Sequence, residues 1–482
     1  MQDLDYKPTE FAEFIEQTTK LIQAQYASMN SEPAYRAYPV EEVKAWFDEA
    51  LPEQGMPFGE LLNETEEKVL NTKTNNLGPH MYGYVMAGGT QVSTLAEFIA
   101  TTINQNMGKW HLGAAMNEIE QRVIQWAADF IHYRNPGDEI GGALLSGGSA
   151  ANLTGLTVAR NLFFEKYQIR EKGLFGHPPF IVYGSAETHG CMDKSIELLG
   201  IGTDNYRKIE TNPNFTLNLS ALQKQIEKDK AAGFIPFCIV GNAGTVNTGA
   251  IDDLDGIADI AQAHKLWFHV DGAYGGLVAC LDSHKALYKG MERADSVAVD
   301  FHKWLYQPFE AGCTLVKNWE QLKRTYYKRA SYLALDVKEA GRIDFNEHHF
   351  QLSRNTKAFK VWMSFKAYGA QAFREMIAKD IDLTRYLAKQ VDEAEDFVLF
   401  NEPDLSAVCF QYVGDGSYTQ DELNQLNHRL VNALEQDGRV FIPGSQLHGQ
   451  TVIRACLINH RKQQAHVDYL LRVIRDVASQ IH

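Results

Sequence analysis

The chain has 482 residues, 45% of them hydrophobic, which is enough for a large core and at least one further domain. Its net charge of −15, without a basic block or an apolar run of the roughly 20 residues that span a bilayer, excludes nucleic acid and membranes as expected partners. The six cysteines are far apart and form no CxxC pair, and the acidic start lacks the apolar core of a signal peptide; both features favour a cytoplasmic protein with reduced thiols.

The first part of the chain is predicted to be helical. Apolar residues recur at helical spacing over residues 1 to about 75, for example Phe11, Phe14 and Ile15. The segment has no obvious core of its own. We therefore predict that residues 1–85 form a helical arm that packs on another surface, most simply that of a second subunit.

Strands and helices then alternate. Short apolar runs predict strands at 142–145, 180–183, 237–240, 266–270, 296–299 and 313–316. Helical patterns fill several gaps, including Leu219–Ala231 and Leu254–His264. This alternation predicts an α/β domain over 86–370 with a mainly parallel central sheet flanked by helices. Ligands of such sheets bind beyond the carboxyl ends of the strands.

The character of the sequence changes near residue 371. Helical patterns at 373–391, 423–437 and 466–479 enclose short apolar runs around Cys409, Phe441 and Ile453. We predict a small C-terminal α+β domain over 371–482.

Two predicted strand ends carry the most informative residues. Asp300-Phe301-His302-Lys303 closes one strand, and His269-Val270-Asp271-Gly272-Ala273 closes another. A lysine and an acid at neighbouring strand ends suit a pyridoxal 5′-phosphate enzyme, in which the lysine forms a Schiff base and the acid keeps the pyridine nitrogen protonated. Either residue alone would more often be a helix cap or a surface contact.

Three upstream segments supply further parts of such a site. Gly147-Gly148-Ser149 joins a strand to a helix, where free N–H groups and the helix dipole attract a phosphate. His189 follows the strand at 180–183 and is suited to stacking on a cofactor ring. Thr245 lies in a loop of small residues after the strand at 237–240 and can hydrogen-bond a cofactor oxygen. Taken singly, these are a turn, a capping histidine and a loop threonine.

Together these segments resemble the group II pyridoxal-phosphate amino-acid decarboxylases, over roughly residues 40 to 470. The resemblance implies a type I aminotransferase-like fold and an obligate homodimer with a wrapped N-terminal arm. It also implies a set of cofactor-binding residues: Gly148, Ser149, His189, Thr245, Asp271, Ala273, Asp300, His302 and Lys303. Among these, Lys303, Asp271 and His189 are also predicted to be catalytic. The implied reaction is decarboxylation of an L-amino acid to an amine and CO2.

One position is discordant. In the aromatic enzymes of this family a lid tyrosine protonates the substrate carbon, and counting back from Lys360 puts Phe345 near that position. Phenylalanine cannot donate a proton, and in some family members this replacement accompanies an oxygen-dependent, aldehyde-forming reaction. Alternative proton donors are Tyr332, His348, His349 and His189, and Phe345 is otherwise an ordinary packing residue.

The substrate is less clearly indicated. Tyr84 and Trp110 resemble the pocket of the aromatic enzymes, although aromatic side chains there are also typical of a core. Arg354 is predicted to bind substrate, with a contact to the lid or dimer interface, or pairing with an acid, as the alternatives. Aromatic L-amino acids are therefore slightly favoured. An aldehyde synthase, another carbon–carbon lyase and a non-catalytic binding protein that kept the fold are the alternatives.

Overall fold

The computed structural model describes residues 4–328, 341–414 and 416–481. These residues form two compact units, one of residues 1–84, 389–400 and 409–482 and one of residues 85–388 and 401–408. The helices are α1 Pro8–Ser28, α2 Val40–Trp46, α3 Phe58–Thr65, α4 Gln91–Ile103, α5 Ala114–Phe130, α6 Gly148–Phe163, α7 Ile169–Lys172, α8 Cys191–Leu198, α9 Leu219–Ala231, α10 Leu254–His264, α11 Phe301–Trp304, α12 Trp319–Tyr326, α13 Ala358–Asp392, α14 Gln420–Asp437 and α15 Gln464–Ala478. The strands are β1 Gly141–Leu145, β2 Phe180–Ser185, β3 Tyr206–Ile209, β4 Ile235–Asn242, β5 Trp267–Gly272, β6 Ser296–Asp300, β7 Gly312–Val316, β8 Phe397–Leu399, β9 Ala407–Tyr412, β10 Gly444–Leu447 and β11 Gln450–Cys456.

The larger unit is built on a seven-stranded sheet of order β1-β7-β6-β5-β4-β2-β3. The pairs from β6 through β5, β4 and β2 to β3 are parallel, whereas β7 runs antiparallel to both of its neighbours. All residues of β1, β2, β5, β6 and β7 are buried, as expected for a sheet covered by helices on both faces. The predicted α/β fold with a mainly parallel central sheet is confirmed.

Helix α6 covers the middle of this sheet and packs on β5, β6 and β7. Buried Leu156, Val158 and Ala159 belong to a core cluster that also holds side chains of β2, β4 and α8. Because α6 begins directly after β1, its first turn lies at the carboxyl edge of the sheet. The packing of α6 therefore fixes where that turn presents its backbone N–H groups.

The smaller unit contains a four-stranded sheet of order β10-β11-β9-β8, with most of β9 belonging to this unit. Helices α14 and α15 pack together, and α14 packs on β11. The segment 1–84 belongs to the same unit: Met81 forms a bridge with Phe441, and the Tyr82 hydroxyl donates to the carbonyl of His466 at 2.7 Å. Helices α1, α2 and α3 bury none of their own residues. The predicted boundaries at 85 and 370 stay predictions.

Strand β3 was absent from the sequence prediction. It is a four-residue edge strand, Tyr206–Ile209, whose two central residues are the charged Arg207 and Lys208. An apolar run is therefore missing, and only pairing with β2 makes this segment a strand. Among the described residues, no helix is long and apolar enough to cross a membrane. All six cysteines lie in the described residues, where they are buried and form no disulfide.

Candidate active site

Loops after five strands converge at one edge of the large sheet. Strands β2, β4, β5 and β6 run in one direction, and β1 shares it because β1 and β6 both pair antiparallel with β7. Hydrogen bonds tie neighbouring strand ends together, since Ala243 N–H donates to the Asp271 carbonyl and Asn242 Nδ2 donates to Thr188 Oγ1. The predicted convergence of strand-end residues is thus present in the fold.

Lys303 lies in the short helix α11, which begins as soon as β6 ends. Its Nζ is 3.0 Å from Asp300 Oδ2, and its side chain is 18% exposed whereas that of Asp300 is 2% exposed. Asp300 Oδ1 is buried and has no hydrogen-bond partner within the described part of the chain. The amine is therefore held by a buried acid on a side chain that remains partly exposed.

His302 also faces Asp300. Its Nε2 is 3.5 Å from Asp300 Oδ2, and its Nδ1 accepts the backbone N–H of Ala311 at 3.2 Å. Because Nδ1 accepts, the proton of the neutral ring is on Nε2, beside the carboxylate. Burial lowers the pKa of His302, an effect that the Asp300 charge opposes. His302 therefore presents an N–H donor toward the end of the sheet.

Asp271 ends β5 and is buried. Burial raises the pKa of its carboxyl group, while hydrogen bonds from Asn152 and the Ala273 backbone and the charges of Lys303 and His189 oppose that rise. The Ala273 N–H donates to Oδ1 at 3.1 Å. A buried carboxylate in these surroundings is stabilised by a cation that reaches it, as a protonated pyridine nitrogen would.

His189 is exposed in the turn between β2 and α8. Its Nδ1 accepts the Cys191 N–H at 3.1 Å, which fixes the ring relative to the start of α8. Its charge acts on the Asp271 carboxyl group, so the two residues are near each other. An exposed ring beside a buried acid leaves one face open for stacking on a flat ligand.

The glycine turn before α6 is tightly enclosed. A Cβ atom added to Gly148 would lie 2.7 Å from the Ala273 Cβ and 2.9 Å from Asp300 Oδ2, so only glycine fits there. In the described residues no side chain caps the start of α6, and Ser149 is exposed. The first turn of a 16-residue helix thus offers its N–H groups and positive dipole end to an anion beside Lys303.

Thr245 is engaged within its own loop. Its Oγ1 accepts the Ala250 N–H at 3.1 Å and lies 3.0 Å from Thr248 Oγ1. These contacts account for this buried hydroxyl without a ligand. The predicted hydrogen bond between Thr245 and a cofactor oxygen stays a prediction. Ala273, by contrast, lies directly against Gly148 at the start of α6.

A family model described as the pyridoxal-dependent decarboxylase conserved domain matches residues 40–413. The chain is 31% identical to an aromatic-L-amino-acid decarboxylase from Bacillus atrophaeus over 481 residues, covering 100% of this chain and 98% of that one. It is 33% identical to the acidic amino acid decarboxylase GADL1 from Bos taurus over 406 residues, covering 83% and 76%. The crystal structure of mouse CSAD superposes with a TM-score of 0.92 at 25% identity, covering 98% and 99%.

The chain belongs to the pyridoxal-dependent decarboxylase family. It is a carboxy-lyase whose cofactor is pyridoxal 5′-phosphate, as the resemblance implied.

The described residues fit this cofactor. The enclosed Gly148 and the uncapped start of α6 form a small anion-binding corner next to the Lys303 amine, and the orphaned Asp300 Oδ1 beside it can accept a hydrogen bond from a bound group. Asp271 supplies a buried carboxylate near the same amine. Within the described residues no group of three or more His, Cys, Asp or Glu side chains suits a metal ion.

The three predicted substrate residues differ in their surroundings. Tyr84 belongs to the smaller unit, where it is exposed and its carbonyl accepts Arg454 Nη1 at 3.2 Å. Trp110 belongs to the larger unit, and its indole N–H donates to Glu118 Oε1 at 2.7 Å. That hydrogen bond leaves only the apolar faces of the Trp110 ring for a substrate. Both roles remain predictions.

The contacts of Arg354 favour pairing with an acid over the predicted substrate role. Its Nη2 donates to Glu120 Oε1 at 2.6 Å and to the Leu144 carbonyl at 2.7 Å, and both charged side chains are almost completely buried. Glu120 Oε1 also accepts the Leu144 N–H at 2.9 Å. The pair therefore ties the segment before α13 to α5 and β1, a structural task that sequence alone did not distinguish from substrate binding.

Phe345 lies in the core of its own chain. It is completely buried in a one-turn 3-10 helix, with the Arg354 guanidinium 4.7 Å above its ring and Trp319 at 5.8 Å. A residue so enclosed is suited to packing, which is the alternative interpretation of Phe345. Its position near the proton donor stays a prediction.

We expect Phe345→Tyr to leave the product ratio unchanged and to lower the free energy of unfolding by about 1–3 kcal/mol. A buried hydroxyl without a hydrogen-bond partner costs about that much. Denaturant unfolding and product analysis would measure the two effects. Phe350→Tyr is the matched control, because Phe350 is exposed and a hydroxyl there meets water. A higher amine fraction with unchanged stability would contradict a packing role for Phe345.

The other predicted proton donors differ in burial. His348 and His349 are buried, with His348 Nδ1 donating to the Asp344 carbonyl at 2.9 Å and burial lowering the pKa of His349 to about 3. His189 is exposed beside Asp271. Tyr332 lies outside the described residues.

Sequence reasoning missed Asn152 and Glu120, which are both completely buried. Asn152 is one helical turn after Gly148, on the face of α6 that packs on the sheet. A polar residue on a helix face that is otherwise apolar was the available signal, because buried polar groups need partners.

Proposed function

We propose that the protein decarboxylates an L-amino acid, with aromatic side chains favoured, to an amine and CO2, and that Lys303 is the amine that binds the cofactor covalently. The observation that carries the proposal is the position of Lys303 Nζ, 3.0 Å from a buried acid and on a partly exposed side chain. Bound pyridoxal phosphate withdraws electrons from the substrate α-carbon. The protein's own residues provide the remaining functions.

Each of these residues has a separate task. Asp271 provides a buried negative charge that keeps a ring nitrogen protonated, because an opposite charge close by favours the cationic form. The start of α6, together with Ser149 and His302, binds the phosphate through N–H and hydroxyl groups. His189 covers the exposed face of the cofactor ring and excludes water there. The Lys303 amine would hold the cofactor, and when not bonded to it would be able to accept or donate a proton in the site.

The aromatic preference rests on the relative that matches the full length of the chain, an aromatic-L-amino-acid decarboxylase. Relatives named as acidic amino acid decarboxylases reach similar identities, 33% over 406 residues and 31% over 473 residues, so the identities alone do not decide the substrate class. The Lys303 amine already faces the Asp300 carboxylate, and the neutral His302 ring carries no charge that would attract an acidic substrate side chain. We therefore favour an uncharged, aromatic substrate side chain.

Amine formation is favoured over the aldehyde alternative. The sequence argument for the aldehyde product depended on Phe345, and this side chain is enclosed by Arg354 and Trp319. No other described residue favours the oxygen-dependent reaction.

A product screen with the purified protein, pyridoxal phosphate and the twenty amino acids tests the proposal. We expect CO2 and amine in equal amounts from an aromatic L-amino acid, without hydrogen peroxide. Aldehyde, ammonia and peroxide in equal amounts would establish the aldehyde synthase instead. Turnover of acidic substrates alone would overturn the proposed substrate class.

We further propose a cytoplasmic homodimer. Helices α1 to α3 and the residues beside them expose large apolar side chains, which single chains rarely do over a contiguous area. They include Phe11, Ile22, Phe47, Leu61 and Val69. Sedimentation analysis of the full chain would measure the oligomeric state, and a monomer at micromolar concentration would overturn this proposal.

A further inference from the structure

A buried chain of polar side chains leads from the core to Asp271. Trp267, His269 and Asp271 alternate along β5 and so lie on one face of the strand, the face that α6 covers. Ser296 begins β6 directly opposite His269. Asn152, on α6, lies above both His269 and Asp271. His269, Ser296 and Asn152 are completely buried.

The distances join Trp267, Ser296, His269 and Asn152 into a series of hydrogen bonds. Trp267 Nε1 donates to Ser296 Oγ at 2.9 Å, and Ser296 Oγ is 2.8 Å from His269 Nδ1. His269 Nε2 is 2.9 Å from Asn152 Oδ1. Asn152 Nδ2 is 3.5 Å from Cys191 Sγ, and a hydrogen bond from the Asn152 side chain opposes the rise that burial causes in the pKa of Asp271.

The donor and acceptor roles in this series are set from its Asp271 end. A carboxylate only accepts, so Asn152 must turn Nδ2 toward Asp271 and Oδ1 toward His269. An amide oxygen also only accepts, so His269 Nε2 must carry a proton. Burial lowers the pKa of His269 to about 3, so the ring is neutral and Nδ1 has no proton. Nδ1 therefore accepts from the Ser296 hydroxyl, which itself accepts from the Trp267 indole, a group that can only donate.

The other neutral tautomer of His269, with its proton on Nδ1, is disfavoured. The Ser296 carbonyl also lies near the His269 ring and would accept a proton placed on Nδ1. His269 Nε2 would then be an acceptor that faces a second acceptor, Asn152 Oδ1, at 2.9 Å. Turning the amide over would relieve that contact only by directing Oδ1 at the Asp271 carboxylate.

We propose that Trp267, Ser296, His269 and Asn152 form a one-directional hydrogen-bond relay that holds Asp271 as a hydrogen-bond acceptor aimed at the cofactor ring. They are positioning residues, since only Asp271 reaches the cofactor, and this inference rests on the function proposed above. The relay supplies one donor to Asp271 and the Ala273 backbone supplies another. Both donors favour the ionised carboxylate, against the effect of burial.

The helix packing is adapted to this relay. A Cβ atom added to Gly155 would lie 2.6 Å from His269 Cε1, so the glycine provides the space that the imidazole occupies. Gly155 is three residues after Asn152 on the same face of α6. One helix thus supplies both the acceptor for His269 and the room for its ring.

The first test is the tautomer of His269 in the wild-type protein without cofactor. Nitrogen-15 NMR of histidine-labelled protein, assigned with His269→Gln, reports which ring nitrogen is protonated. We expect a neutral ring with the proton on Nε2 at pH 7. A proton on Nδ1, or a charged ring, would overturn the relay, whatever the protein catalyses.

The second test measures cofactor affinity without turnover. In a Lys303→Ala background, pyridoxal phosphate binds non-covalently and its absorbance reports the dissociation constant. We expect Ser296→Ala to raise that constant about tenfold, as for loss of support to a hydrogen bond with a charged group. Ser364→Ala is the matched control, because Ser364 is equally buried and its hydroxyl donates to Gln307 at 3.3 Å. We expect the dissociation constant of this control variant to stay unchanged.

Two outcomes separate this proposal from the function on which it rests. If Ser296→Ala and Ser364→Ala bind the cofactor equally well, the relay is wrong and the proposed function stands. If cofactor remains covalently attached in the Lys303→Ala background, the proposed role of Lys303 is wrong. Should Ser296→Ala not fold, Gly155→Ala displaces His269 without removing a polar group, and an unchanged dissociation constant in it would overturn the relay.

Discussion

Replacing Lys303 with alanine is expected to abolish decarboxylation, on the order of a 10³-fold loss or more, as for other residues that act through a covalent bond. The visible absorbance of bound cofactor should change at the same time, because the bond to Nζ cannot form. The fold should persist, since Lys303 contributes one partly exposed contact with Asp300. Amine release, absorbance spectra and thermal unfolding measure the three effects.

Lys366→Ala provides the control for this experiment. Lys366 is exposed on α13, so its loss should change neither the spectrum nor the rate. Turnover of Lys303→Ala near the wild-type rate would remove the proposed role. A variant that fails to fold would show instead that the contact with Asp300 is structural.

Arg354→Met is expected to destabilise the fold by about 3–5 kcal/mol, because it leaves Glu120 as a buried charge without its partner. Combining Arg354→Met with Glu120→Leu should restore much of that loss, since no buried charge remains. Chemical denaturation of the cofactor-free protein measures the free energies of unfolding. If Arg354 instead bound substrate, its replacement would raise KM and leave the unfolding curve unchanged.

An exposed ion pair serves as the comparison. Arg324 pairs with Glu165, and both side chains are largely exposed. Arg324→Met should cost about 0–1 kcal/mol, the usual value of a surface pair. If Arg324→Met and Arg354→Met lowered the free energy of unfolding equally, burial of the Arg354–Glu120 pair would add nothing to stability.

Short segments were sufficient to predict the cofactor chemistry. Lys303, Asp271 and Gly148 each follow a strand that its apolar run identifies, and parallel strands bring their ends to one edge. The same reasoning failed for β3, whose charged residues hide a strand that only pairing with β2 creates. For Phe345 the sequence left two interpretations open, because a polar loop has no periodicity from which a position can be counted.

Side-chain partners were beyond the reach of local patterns. Arg354 and Glu120 are 234 residues apart, and His269 and Asn152 are 117 apart. Hydrogen bonds over such separations depend on how helices lie on the sheet, which periodicity does not specify. The roles of Arg354 and Asn152 therefore became visible only in the folded chain.

The sequence by itself determined the fold class, the cofactor and the strand-end residues around Lys303. The reason is that the spacing of apolar residues and the residue types at strand ends are both visible within short segments. The tertiary structure decided which polar residues are buried together, namely the pair of Arg354 with Glu120 and the series behind Asp271. The physical reason is that a buried polar group is stable only with a partner, and partners are selected by packing in three dimensions.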